Sequence, residues 1–134
     1  ERTAACACGQ LSITFSGKPK MVIACHCSKC QRRTGSVLGV SAYFSDDLIA
    51  AQTGESRLFV KTGDSGKTTT RQFCPTCGST VFWQADFLAN HTGVAVGAFA
   101  DPNFPEPAIS AWEMSKHAWL TLPEQWPCSD TQEF

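Results

Sequence analysis

Cys74-Pro75-Thr76-Cys77-Gly78 places two cysteines on a turn whose chemistry is set residue by residue. Proline presets φ, backbone N–H groups point toward the sulfurs, and glycine after the second cysteine supplies a positive φ. The two sulfurs then converge on one side, as in the knuckle of a tetrahedral zinc site with Zn–S distances of about 2.3 Å. Cys6-Ala7-Cys8-Gly9 has a tighter version of the same arrangement. Together the two knuckles supply four thiolates, Cys6, Cys8, Cys74 and Cys77. A metal shared between positions 8 and 74 staples distant strands and contributes folding free energy on the order of 10 kcal/mol. Other pairings exist, but this one leaves no ligand over.

The chain has eight cysteines, and the remainder carry the functional question. Cys25-His26-Cys27-Ser28-Lys29-Cys30 is a second compact set, and Cys128 stands alone. Three protein thiolates with one open position match a catalytic zinc, whereas structural sites are closed with four. Cys128 or His26 could still close the set. Strand alternation aims His26 away from the sulfurs, leaving it a scaffold role or an acid–base one. Two other readings of the cysteines stay open. An even count fits disulfides, although Cys-x-Cys cannot close on itself without strain. Cys74-Pro75-Thr76-Cys77 could be a thioredoxin-like redox pair, although the βαβ setting of that motif is missing. Iron–sulfur ligation uses the same donors, and the knuckle spacing favours zinc over it.

Outside the cysteines, short segments of period two dominate. Leu11-Ser12-Ile13-Thr14-Phe15 alternates cleanly, and 21–24, 37–44, 57–61, 69–73, 80–84, 94–99 and 109–112 read as extended. Turn chemistry separates them at Ser16-Gly17-Lys18-Pro19, at Thr62-Gly63-Asp64-Ser65-Gly66 and through the proline-rich 101–107. A turn or two of helix follows Ser28, and no segment supports a long amphipathic helix. The chain is expected to be all-β. Gly63-Asp64-Ser65-Gly66-Lys67-Thr68 is a hairpin tip rather than a phosphate-binding loop, because Lys61 stands where the first glycine of that loop belongs.

With 134 residues the chain is expected to form a single domain, 1–134, against about 150 residues for a typical one. Hydrophobic residues at 43% and charged residues at 17% are globular values and exclude a disordered chain. Eleven basic against twelve acidic side chains give a formal charge of −1, so no basic excess exists to bind a nucleic-acid backbone. The longest apolar runs, such as 94–100, are too short for a membrane span. Residues 1–10 contain no apolar signal-peptide core, which makes the cytoplasm the expected compartment, with reduced thiols. The chain starts at Glu1 rather than Met, which leaves room for an upstream segment.

Read with their flanks, the three clusters resemble a known family. Cys6-Ala7-Cys8-Gly9, Cys25-His26-Cys27-Ser28-Lys29-Cys30-Gln31-Arg32-Arg33-Thr34-Gly35-Ser36 and Arg71-Gln72-Phe73-Cys74-Pro75-Thr76-Cys77-Gly78-Ser79 are similar to motifs of the glutathione-dependent formaldehyde-activating enzymes. Gly97-Ala98-Phe99-Ala100-Asp101-Pro102 and the stretch 109–119 look like that family's C-terminal signatures. The resemblance implies a zinc-stapled β-tent of several coiled antiparallel sheets with little helix. It implies a structural zinc on Cys6, Cys8, Cys74 and Cys77, and a second, labile catalytic zinc on Cys25, Cys27 and Cys30. The implied reaction is carbon–sulfur lyase chemistry run in the synthetic direction, joining glutathione and formaldehyde into S-hydroxymethylglutathione. The partner is then a small-molecule, glutathione-like thiol, with no nucleic acid and no membrane.

Charge supports a substrate of that kind, since Lys29, Arg32 and Arg33 beside the three-cysteine set could bind glutathione carboxylates. A solvated surface pair is the competing reading for Arg32 and Arg33. Trp83, Trp112, Trp119 and Phe99 are expected in the core, with a substrate-cleft lining as the competing reading, and His91, His117 and Glu113 lack ligand-like spacing. The alternative function is a zinc-stapled, non-catalytic binding module with a structural metal only. The three-cysteine set discriminates the two, because such a module has no need of a second, incomplete site.

Overall fold

The computed structural model describes residues 1–131. Among these described residues, ten strands form two sheets, with little helix and no closed barrel. The smaller sheet has the order β1 (Arg2–Ala5), β2 (Ser12–Phe15), β5 (Ile49–Thr53). The larger runs β10 (Ile109–Ala111), β3 (Met21–Cys25), β4 (Gly39–Ser45), β9 (His91–Ala95), β8 (Thr80–Ala85), β7 (Thr68–Phe73), β6 (Arg57–Thr62). The strand pairs are antiparallel except β10 on β3, which is parallel. The α-helix α1 (Ser28–Thr34) follows β3, with Gly35 at φ +69° as its left-handed cap.

Period two explains the layering. Ile13 and Phe15 of β2 turn inward while Ser12 and Thr14 stay half-exposed. Phe15 stacks on Phe44 of β4 with ring centroids 4.1 Å apart, and this contact ties the small sheet to one face of the large one. The opposite face carries a second cluster, Ile23, Tyr43, Trp83 and Ala111. Strands β3 and β4 are therefore buried on both faces, which is why their sequences read as nearly continuous apolar runs. The far edge is different: Leu58, Phe59 and Val60 of β6 are 61%, 49% and 59% exposed.

Three features depart from the sequence expectation. Residues 96–99 form a 3-10 turn closed by Ala100 N–H to Gly97 O (3.0 Å), so β9 ends at Ala95. The turn sets Val96, Ala98 and Phe99 against the main core, a packing that extended backbone would not provide. β10 stops at Ala111 because Trp112 takes φ +59°. β1 and β5 carry no alternating apolar signal; both are strands because β2 offers each of them an edge. Among the described residues, no helix is long and apolar enough to cross a membrane.

Candidate metal centres

Among the described residues two sets of cysteine sulfurs converge, each with all its sulfurs within 4.8 Å of one another: Cys6, Cys8, Cys74 and Cys77, and separately Cys25, Cys27 and Cys30. In the first set, the knuckles are built alike. Cys6 N–H donates to Leu11 O and Cys74 N–H to Ser79 O, both at 2.9 Å, while Gly9 and Gly78 stand at φ +83° and +81° directly after the second cysteine. The close of each knuckle is thus left-handed backbone that glycine adopts without a Cβ penalty.

Sulfur spacing and donor chemistry both fit a metal. Cys8 Sγ lies 3.6 Å from Cys6 Sγ and 3.7 Å from Cys74 Sγ. A tetrahedron with metal–sulfur bonds of about 2.3 Å has an edge of roughly 3.8 Å. Cys74 Sγ accepts three hydrogen bonds, from Gln10 Nε2 (3.0 Å), Thr76 N–H (3.3 Å) and Cys77 N–H (3.4 Å). Burial opposes its ionisation, but these donors outweigh it and hold the thiol below its ordinary value. Cys77 is lowered to about 5, chiefly by the Ser79 hydroxyl. Cys8 receives help from the Gln10 backbone, yet desolvation and the thiols of Cys6, Cys74 and Cys77 push it up to about 11. Four thiolates at this spacing repel one another, and a divalent cation between them removes the conflict.

The three-cysteine set sits where β3 passes into α1. Cys25 ends β3, paired with Gly39 of β4. Cys27 is the N-cap of α1, its sulfur accepting from Cys30 N–H at 3.3 Å, and Cys30 lies in the first turn. Hydrogen bonds from the Cys25 and Cys30 thiols, then the N–H groups of Cys30 and Lys29, drop Cys27 to about 2. The same contacts with Cys27 and Cys30, together with burial, push Cys25 far up. The three thiols thus compete for one negative charge, and a cation among them relieves that competition.

His26 is no ligand. It is fully buried, its Nε2 shares a 2.8 Å hydrogen bond with Ser110 Oγ, and burial lowers its pKa. Sealed in this way, it is also out of reach of a substrate proton. Cys128 belongs to neither group; it is exposed and bridges Ser110 through the backbone. Gln31 ties α1 to the C-terminal segment, donating from Nε2 to His26 O (2.8 Å) and Ser115 O (3.2 Å), while His117 Nε2 meets its Oε1 at 3.1 Å.

The cationic residues separate. Arg33 lays its guanidinium over the Trp83 ring, 4.5 Å from the centroid, and its Nη2 is buried without a hydrogen-bond partner. Lys29 and Arg32 are exposed. A cleft of about 610 Å³ runs from Arg33 and Thr34 to Cys77, Ser79 and Thr80. Of the aromatic residues expected inside, Trp83 is buried, and Phe99 and Trp112 pack against the two clusters. Trp119 is 70% exposed, because the segment after β10 runs over the surface rather than through a sheet. Gln10 and Ser79 support the four-cysteine set; the sequence marked them only by their place beside the knuckles, Ser79 as the last residue of the motif 71–79, and assigned neither a role. Arg71, the first residue of the same motif, likewise received no role from the sequence.

A crystal structure of a Rhodobacter sphaeroides protein matches with a TM-score of 0.56, covering 75% of this chain and 90% of that one at 23% identity, which shows a shared fold. No curated protein matches the chain. The family model described as glutathione-dependent formaldehyde-activating enzyme matches residues 1–115.

Proposed function

The chain belongs to the glutathione-dependent formaldehyde-activating enzyme family, and from that membership we propose a zinc-dependent carbon–sulfur lyase or synthase acting on a thiol adduct of the S-hydroxymethylglutathione type. The observation that carries this reading is the unequal pair of sulfur sets, one with four ligands and one with three. Cys6, Cys8, Cys74 and Cys77 hold the structural ion, and Cys25, Cys27 and Cys30 hold the working one. Zinc bound by three thiolates supplies the charge that keeps a substrate thiol deprotonated near neutral pH.

The residues of the chain bind and orient. In the synthetic direction the thiol sulfur adds to the carbonyl carbon of formaldehyde, the C=O π pair moves to oxygen, and the thiol proton ends on that oxygen. Arg33 next to Cys30 offsets the negative charge of the thiolates. Lys29 is free to meet a carboxylate of the substrate, and Arg32, exposed in the last turn of α1, extends the same positive surface.

The test is formation of S-hydroxymethylglutathione followed by exchange NMR on zinc-loaded protein. The expected result is acceleration over the spontaneous reaction, with two zinc equivalents bound and one of them readily chelated. A spontaneous rate in the presence of fully loaded protein overturns the reading.

A further inference from the structure

Cross-strand register places a row of side chains on the face of the large sheet that also carries Cys25. Tyr43, Gly93, Trp83, Arg71 and Phe59 are successive partners across β4, β9, β8, β7 and β6. On β3, Met21 pairs with Tyr43, and Cys25 lies four residues further on, hence on the same face. Arg71 thus shares a sheet face with Cys25 and stands directly beside Trp83.

Its surroundings are constrained. A Cβ at Gly93 would overlap Trp83 Nε1, so glycine there lets the indole lie against the sheet. Arg33 rests on that indole, and a Cβ at Gly39 would stand 2.7 Å from its Nη2, which fixes the guanidinium from behind. Arg71 is half-buried, with its guanidinium 5.8 Å from the Phe59 centroid. Burial, then the charge of Arg33, lower its pKa, while the thiols of Cys30 and Cys27 act in the opposite sense. The β6–β7 hairpin reaches over this face, so Lys29 Nζ lies 3.8 Å from where a Cβ on Gly63 would be. Arg33 and Arg71 therefore flank the Trp83 indole on one face, with Lys29 exposed beside the tip of the hairpin, in a chain whose formal charge is −1.

Holding like charges together partly out of water costs stability unless an anion joins them. We propose that Arg71, flanked by Lys29 and Arg33, forms a carboxylate subsite beside the three-cysteine set, with the exposed Phe59 ring covering the apolar chain of the ligand. The planar guanidinium engages both carboxylate oxygens, a geometry that an ammonium lacks. This deepens the reading above and rests on the three-cysteine set being a thiol-binding centre.

Calorimetric titration of zinc-loaded protein with glutathione and with glutathione diethyl ester tests it, since the ester keeps the thiol and loses both carboxylates. Wild-type protein is expected to bind glutathione roughly ten- to a hundredfold more tightly, the range of a hydrogen bond to a charged group. Arg71→Gln is expected to remove most of that preference by weakening glutathione alone, with ester affinity and zinc content unchanged. Equal affinity of wild type for the two ligands, or equal weakening of both by Arg71→Gln, overturns the subsite and leaves the thiol centre standing. Failure of both ligands to bind wild type overturns the thiol centre and the subsite with it. If Arg71→Gln does not fold, Arg71→Lys carries the test, with a partial loss of preference expected and equal loss for both ligands counting against it.

Discussion

His26 stands between two metal-site cysteines in the chain, yet its Nε2 meets Ser110 Oγ at 2.8 Å in the protein interior. Strand alternation at the end of β3 throws the imidazole to the side opposite the sulfurs, where β10 lies in parallel register with Ser110 opposite Ala24. Because His26 Nδ1 is already without a partner, Ser110 supplies the ring's one side-chain hydrogen bond. Ser110→Ala would leave the second ring nitrogen buried and unpaired. The expected loss is about 1–3 kcal/mol in urea unfolding, with metal content unchanged. Wild-type stability in this variant would contradict the buried pairing.

The two sulfur sets are expected to respond differently to loss of one ligand. Cys77→Ser breaks the staple between the knuckles at 6–9 and 74–78 and should abolish cooperative thermal unfolding, because the metal on distant ligands is folding free energy. Cys27→Ser removes a half-buried group at a helix cap. It should lower bound zinc by one equivalent and shift stability by no more than about 1 kcal/mol. Equal destabilisation by the two substitutions would mean that both sites are structural.

Close contact at Gly93 makes a third prediction. A methyl group there would overlap the buried Trp83 indole, whereas Gly97 has nothing within 4 Å of a Cβ. Gly93→Ala is expected to cost about 1–3 kcal/mol, the range for overpacking a filled core. Gly97→Ala should stay within about 0.5 kcal/mol. Chemical denaturation of the pair checks the difference, and similar values for both would refute the close approach.

The edge strand β6 exposes Leu58, Phe59 and Val60 beside unpaired backbone groups. Such an edge pairs readily with other chains. Val60→Lys should therefore raise the concentration at which the protein stays soluble, with a change in stability of about 0.5 kcal/mol or less. Light scattering against concentration is the measurement, and unchanged aggregation would show that this edge is not the sticky one.

Much of this fold was legible because its signals are local. The alternation of β2, the turns at Gly17 and Gly63, and the helix beginning at Ser28 each depend on a few adjacent residues. β1 and β5 were not legible, since their pairing comes from the edges of β2 rather than from their own side chains. Residues 96–99 misled for a similar reason: their apolar character suits a strand, and only contact with Phe44 through Phe99 makes a tight turn the better packing.

The sequence by itself determined which sulfurs stand together within each knuckle, because two cysteines one or two residues apart on a glycine-closed turn have little freedom. It also marked Cys25, Cys27 and Cys30 as an incomplete set. Tertiary structure alone decided what surrounds that set. Arg33 reaches Trp83 from a helix, and Arg71 reaches the same face through the register of β7 on β8. His26 finds Ser110 through the parallel pairing of β10. Register and packing join residues tens of positions apart, and no local pattern encodes them.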